Sequence, residues 1–260
     1  MLGWIRELYD YRSMVWNLVR RDLRGRYKGS LLGFLWNFIL PLMQILVYIM
    51  VFTVVFRQNI EHYYVYIIVG MVPWTMFNDA VLSSSGSIIE NSQLVSKIYF
   101  PRTVIPLSMV ISKFINFLIS MGIALLILAV GGHGFDGWAL ASLPVAVFCL
   151  FVFSLGLSLL LAAADVYMRD VQYMVNVILM MLIWLTPIMY VKDFIDNDTF
   201  QTMLDINPLT YIVGMFQDCL YWKAVPGIED AIIAVAASVI MLLIGTAVFE
   251  KYSPDFAEVL

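Results

Sequence analysis

Read from its first residue, the chain alternates between short charged stretches and long runs almost free of charged side chains. Residues 31–56 hold no Asp, Glu, Lys or Arg. Residues 63–82 hold one, Asp79, and residues 104–130 hold one, Lys113. Residues 138–164, 171–191 and 231–249 hold none. A helix that crosses a bilayer needs about 20 such residues, each adding ~1.5 Å across a hydrocarbon layer ~30 Å thick. The pattern therefore predicts an all-α membrane protein with six transmembrane helices. One more apolar stretch, 204–221, is interrupted by Asp205, Pro208 and Asp218. It predicts a pair of short re-entrant or surface-lying helices between helices 5 and 6.

Ahead of the first span, residues 1–30 predict a separate amphipathic helix. Trp4, Leu8, Tyr11, Val15 and Leu18 recur at three- and four-residue steps and so share one face, with Arg12 and Arg20 elsewhere around it. Such a helix lies in the membrane interface, its aromatics at the acyl boundary and its basic residues at phosphates. The alternative is an arm packed on a partner. The organisation expected is thus an interface helix, 1–30, followed by a membrane domain, 31–260.

Composition fits a lipid solvent. Apolar residues make up 62% and charged residues 13%, with mean hydropathy +0.88, against about half and a quarter for soluble domains. The net charge of −4 says little; the placement of the cations says more. With six spans, one face carries eleven Lys/Arg, seven of them before residue 29 and the others Lys97, Arg102, Arg169 and Lys251. The opposite face carries Arg57, Lys192 and Lys223 among many acids. Basic residues collect on the cytoplasmic side of span ends, so both termini are expected in the cytoplasm. No cleavable leader is expected, because the first thirty residues lack an apolar core before a small-residue site.

The chemistry of an enzyme is not found. No G-x-x-x-x-G-K-[ST] occurs, and GRYKGS at 25–30 lacks its spacing, so no phosphate-cradling loop of that kind is expected. Cys149 and Cys219 have no paired spacing and read as packing residues. His62 and His133 stand too far apart in sequence to suggest a metal site. Asp196-Asn197-Asp198 has the D-x-D form of sugar-nucleotide transferases, but on the face away from nucleotide sugars, where a polar loop is the simpler reading. Lys113 and Asp79 sit within about three turns of span ends, where side chains snorkel to headgroups, so neither predicts an ion relay. In the 83–102 loop, Asn91 or Ser92 could cap a short helix through 94–99 that Pro101 stops. Such a helix suits contact with another protein, or the loop is simply solvated.

Four strings carry a family resemblance: RDLRGRYKGSLLGFLWNFILPL (21–42), NSQLVSKIYFPRTVIPLS (91–108), YMRDVQYMVNVILMMLIWLTPIMY (167–190) and INPLTYIVGMFQDCLY (206–221). In this order they resemble the membrane subunit of ABC-2-type exporters of polysaccharides and polyol phosphates, those for O-antigen, capsule and teichoic acid. The resemblance implies a permease working as a pair of identical copies, bound to two cytoplasmic ABC ATPase subunits, and moving a lipid-linked glycan outward across the bacterial cytoplasmic membrane. It implies that ATP and Mg are held by the partner, that this chain needs no cofactor and no nucleic acid, and that 204–221 forms outer gate helices. It places the ATPase contact at roughly residues 11–27 and 90–102.

On that frame, candidate residues fall into three groups. A glycan path wants aromatic platforms together with hydrogen-bonding side chains, and Trp36, Asn37, Gln44, Tyr48, Trp184 and Tyr190 supply both. Asn37, Gln44 and Tyr48 lie near one helical face, and ordinary interhelix packing is the competing use. Arg20, Arg21, Arg24, Arg26 and Lys28 stand where a lipid pyrophosphate would load, since Arg forks bind phosphate in bidentate fashion; membrane anchoring would explain the same cluster. Glu90, Leu94, Lys97 and Arg102, with Arg169 and Asp170 from the 165–170 loop, are the expected ATPase-coupling residues. The competing readings are an ABC-2 exporter of a small lipid or drug, a membrane-embedded glycosyl- or acyltransferase relying on Glu90, Asp165 and Asp170, and a passive scaffold or channel.

Overall fold

A computed structural model of the chain describes residues 9–25, 35–55, 60–192 and 197–260. Among them every regular element is a helix. Helix α1 (Arg12–Gly25) precedes α2 (Trp36–Met50), which runs on into a π-helical turn at Val51–Val55. After α3 (Tyr63–Ser85) come two short helices, α4 (Ser87–Glu90) and α5 (Ser92–Lys97). Two long helices follow, α6 (Val104–Val130) and α7 (Gly137–Tyr167). The remainder is α8 (Val171–Leu182), α9 (Asp198–Ile206), α10 (Pro208–Gln217), α11 (Ile228–Tyr252) and α12 (Phe256–Val259).

Four helices, α3, α6, α7 and α11, are long and apolar enough to cross a membrane. The expected fifth span is shorter as a helix, 12 residues in α8, and the described part of the expected first span is α2 with the π-helical turn that follows it, residues 36–55. At ~1.5 Å per residue α8 covers about 18 Å of a ~30 Å layer. The apolar run 171–191 is thus helical only in its first half, and residues 183–190 form turns and bends. Pro187 lies in that stretch, and it can neither donate to a helical ladder nor let its predecessor stay helical without strain.

Helix α3 is the centre of the bundle. It is buried over most of its length and packs against α2, α6, α7 and α10. On the other side of α7 lies α11. The two backbones meet where Gly156 faces Gly245: a Cβ on Gly245 would stand 2.0 Å from the Gly156 carbonyl oxygen. Lipid gives helices no hydrophobic drive to associate, so close van der Waals approach at small residues supplies much of the attraction. Ser238 Oγ adds a buried hydrogen bond to the Cys149 carbonyl at 3.0 Å. Both cysteines are buried and free.

The bundle has two distinct ends. At one, His62, His133 and Tyr221 gather, and the Tyr221 hydroxyl donates to the Glu61 carbonyl at 2.6 Å. At the other, α1 docks on α6 and α12 reaches α5. There Lys113 Nζ meets Asp22 Oδ2 at 2.9 Å, and the Arg102 guanidinium lies 5.9 Å from the Phe256 ring centre. The described N-terminal helix and the C-terminus therefore lie at the same end of the bundle.

Three local expectations change. Leu18 and Val19 are buried, and Tyr11, Met14 and Val15 pack partly against the core, so much of the apolar face of α1 is turned to α6 rather than to lipid. Lys113 does not snorkel: at 2% exposure it is paired with Asp22, which also accepts from Ser112 Oγ at 2.6 Å. A buried ammonium needs a partner, and α1 brings one. Asn91 occupies the N-cap position of α5 without a capping bond. Its amide instead donates to the Ser87 carbonyl, and its oxygen accepts from Arg21 at 2.5 Å.

Candidate functional site

A cavity of about 770 Å³ opens among α2, α3, α6 and α8, on the half of the bundle nearer α1. From α2 it is lined at every fourth residue, by Trp36, Leu40, Gln44 and Tyr48, a spacing that keeps one helical face inward. Gln44 Nε2 donates to the Tyr48 hydroxyl at 2.8 Å. Met180 and Ile183 belong to the α8 side, and Trp184, half exposed, follows directly after it. Four residues expected to form a glycan path, Trp36, Gln44, Tyr48 and Trp184, thus border one space. The Asn37 side chain lies outside what is described. Tyr190 does not border the cavity; it is buried, and its hydroxyl donates to the Trp184 carbonyl at 2.6 Å.

The polar part of the remaining lining was not foreseen. It comprises Thr75, Asn78 and Asp79 on α3 and Lys113, Asn116 and Ser120 on α6, set among Met71, Trp74 and Phe117 of the same helices. Their spacings, three and four residues on α3 and three and seven on α6, set each group on one face. That stripe was legible in the sequence, but only by reading the polar residues of a span together rather than one at a time. Asp79 lines this space, where it was expected to reach for headgroups.

Beside the cavity, the non-helical backbone after α8 is braced from distant helices. Tyr63 Oη donates to the Met189 carbonyl at 2.6 Å, and Tyr66 Oη to the carbonyls of Tyr190 and Pro187 at 2.9 and 3.1 Å. Gln217 Nε2 also donates to the Pro187 carbonyl at 2.9 Å. Asn207 Nδ2 donates to the Leu185 carbonyl at 2.8 Å, while its own oxygen caps α10 at the Leu209 amide. Irregular backbone at membrane depth is tolerated only where protein groups satisfy it, and these four side chains do so. Gly70 lets the segment come close, since a Cβ there would stand 3.1 Å from Ile188 Cγ2 and 3.2 Å from Gln217 Nε2. Just beyond it, Lys192 pairs with Asp205, and that hydrogen bond raises the lysine above its ordinary pKa.

The end of the bundle bearing α1 carries the remaining candidates. Arg20, Arg21 and Arg24 are exposed, and Arg20 lies over the Trp16 ring at 5.9 Å. Arg26 and Lys28 lie outside the described residues. Glu90, Lys97, Arg169 and Asp170 are exposed, and Leu94 and Arg102 partly so. The Arg102 guanidinium lies over the Phe256 ring, a contact that no sequence spacing announces. Asp165 is buried there, accepting from the Gln172 amide at 3.2 Å, which makes it a clamp between α7 and α8 rather than an exposed acid.

At the far end, His62 and His133 lie 5.8 Å apart between ring centres, although 71 positions separate them, because α3 begins where α6 ends. His133 stacks on Tyr221 and hydrogen-bonds its carbonyl at 3.2 Å. Burial keeps its imidazole below the ordinary pKa, partly offset by that bond. Among the described residues no third His, Cys, Asp or Glu completes a metal-binding group.

The sequence matches the profile of the family described as ABC-2 type transporter over residues 14–221. It is 35% identical over 259 residues to the O-antigen export system permease protein RfbA of Myxococcus xanthus, an alignment covering 99% of each chain. Two proteins of the same name from Klebsiella pneumoniae are each 30% identical over 253 residues, covering 97% of this chain and 96% of theirs.

Proposed function

The chain belongs to the ABC-2 transporter family, and we propose that it is the membrane-spanning permease subunit of an ATP-driven exporter that moves a lipid-linked polysaccharide outward across the bacterial cytoplasmic membrane. The observation that carries this reading is similarity along virtually the whole chain to permeases named for O-antigen export. A cavity walled by aromatic and amide side chains inside an apolar bundle supports it, because sugars offer C–H faces to rings and hydroxyls to amides.

On this reading two copies assemble with two cytoplasmic ABC ATPase subunits, which bind ATP and Mg. Both termini face the cytoplasm, since the end bearing α1 is also the end rich in Arg and Lys. Glu90, Leu94, Lys97, Arg102, Arg169 and Asp170 transmit the ATPase stroke. Arg20, Arg21, Arg24, Arg26 and Lys28 receive the lipid pyrophosphate. Trp36, Asn37, Gln44, Tyr48 and Trp184 line the path, Tyr190 holds Trp184 from behind, and α9 and α10 gate its outer side.

Disruption of the gene should remove long-chain polysaccharide from the cell surface and leave lipid-linked polymer inside. Complementation with the wild-type gene should restore export, and complementation with a Gln44→Leu, Tyr48→Leu double variant should not. Surface polysaccharide unaffected by disruption would sink the reading.

A further inference from the structure

At the end of the bundle bearing α1, one side chain touches three separate parts of the chain. Phe256 opens α12 and is fully buried, although Asp255 before it and Glu258 and Val259 after it are exposed. Its ring meets Phe249 of α11 edge-on at 5.4 Å between centres, and Tyr167, the last residue of α7, at 6.2 Å. On a third side the Arg102 guanidinium stands over it at 5.9 Å. Arg102 Nη1 is buried with no hydrogen-bond partner among the described residues. A guanidinium is always charged, and an edge of it sealed from water needs compensation. A ring face within ~6 Å supplies some. Arg102 belongs to the 98–103 loop, and Tyr167 leads directly into the turn that holds Arg169 and Asp170. Both places present exposed apolar side chains beside their charges, Ile98 and Tyr99 in one and Met168 in the other, the mixture of aromatic, Met and Arg side chains that protein contacts favour. Through Phe256, α12 ties the two together, and its packing against both α5 and α7 agrees with that.

We propose that Phe256 is a positioning residue for energy coupling, holding Arg102 against the end of α7 so that the 98–103 and 165–170 loops move as one body when the ATPase pushes on either. Two loops free to yield separately would absorb a push locally, whereas a close-packed ring passes it on, because packed interiors are stiff. The inference rests on the reading of the chain as a permease driven by a separate ATPase. It adds to that reading a residue outside both loops, buried where no partner touches it, whose part is played through Arg102.

The test uses the complex of this chain with its ATPase in nanodiscs, and reads the ratio of ATP hydrolysis with lipid-linked polysaccharide of the producing strain to hydrolysis without it. Phe256→Leu keeps an apolar side chain of similar reach and removes the ring face. It should lower the ratio at least about threefold, the scale of a partly exposed cation–π contact. Arg102→Ala should lower it as much or more, and the double variant should fall no lower than Arg102→Ala alone, since residues acting through one contact are not additive. A merely structural Phe256 would give losses that multiply, and that result would overturn the inference, as would an unchanged ratio in Phe256→Leu. Hydrogen exchange in wild type alone gives a second reading that holds even if a variant fails to fold. Amides of 98–103, 165–170 and 253–260 should slow together when the ATPase binds, and slowing in the loops with 253–260 unaltered would overturn the proposal. Failure of the broader reading has a different signature: polymer then stimulates no hydrolysis by the wild-type complex, and the inference falls with it.

Discussion

The broken segment after α8 offers a sharp energetic test, because one carbonyl there has two donors. Pro187 O accepts from Tyr66 Oη at 3.1 Å and from Gln217 Nε2 at 2.9 Å, while Tyr190 O accepts from the same Tyr66 hydroxyl at 2.9 Å. Tyr66→Phe keeps a ring that is 2% exposed, stacked on Tyr63 and edge-on to Tyr221, and removes only the hydroxyl. Pro187 O then still has Gln217, and only Tyr190 O loses its donor. Gln217→Leu likewise leaves Pro187 O with Tyr66. Only the double variant strips both. An acceptor left bare in a buried site costs about 1–3 kcal/mol, although interhelical hydrogen bonds in membranes average nearer 0.6 kcal/mol. Each single change should therefore cost about 1 kcal/mol, and the double variant about 1 kcal/mol more than their sum. Cys149 and Cys219, both buried, make a thiol-reactive dye a suitable reporter of thermal unfolding. In a chain of this size each kcal/mol shifts Tm by about 2–4 °C. Strict additivity would show that Pro187 O does not need these donors, and the account of the braced break would fail.

Other consequences follow from the same geometry. Gly245→Ala places a methyl group against the Gly156 carbonyl and should abolish assembly of α7 with α11, seen as aggregation in detergent; a monodisperse variant would contradict the close crossing. Asp22→Asn removes the carboxylate charge that faces the buried Lys113 ammonium and should cost about 3 kcal/mol, as breaking one side of a buried pair does, while Lys113→Met in the same chain should restore much of the loss; thermal stability of the two variants decides the matter. His133 is held neutral by burial, so its folded pKa lies below the unfolded value near 6.5. Stability is then unaffected above that value and falls as pH drops through it, because the unfolded chain binds the proton first. His133→Gln should flatten the decline in Tm between pH 7.5 and 5.5, and an unchanged decline would remove His133 as its source.

How much of this was legible beforehand depended on whether the signal was local. The long helices α3, α6, α7 and α11 follow from apolar runs that carry one charge or none, and Pro208, which interrupts the stretch 204–221, stands at the start of α10. The break at 183–190 was missed although Pro187 stood in plain view, because apolar composition alone cannot separate a helix from a buried irregular segment. What makes the break tolerable is Tyr63, Tyr66, Asn207 and Gln217, residues remote in sequence whose hydroxyls and amides read as ordinary span or loop residues. Trp36, Gln44, Tyr48 and Trp184 were found by their chemistry. Asn78, Asn116 and Ser120 were not, since single small polar residues in an apolar run look like packing until two helices turn them toward one space. The pairing of Lys113 with Asp22 was hidden for the same reason: the partner comes from a helix 91 positions away.

The most direct test of the whole account is reconstitution of this chain with its ATPase in proteoliposomes loaded with the lipid-linked polysaccharide of the producing strain. The account predicts that ATP drives polymer to the leaflet opposite the ATPase, that hydrolysis rises when polymer is present, and that the chain alone does neither. Hydrolysis by this chain without a partner, or polymer crossing at the same rate without ATP, would contradict it.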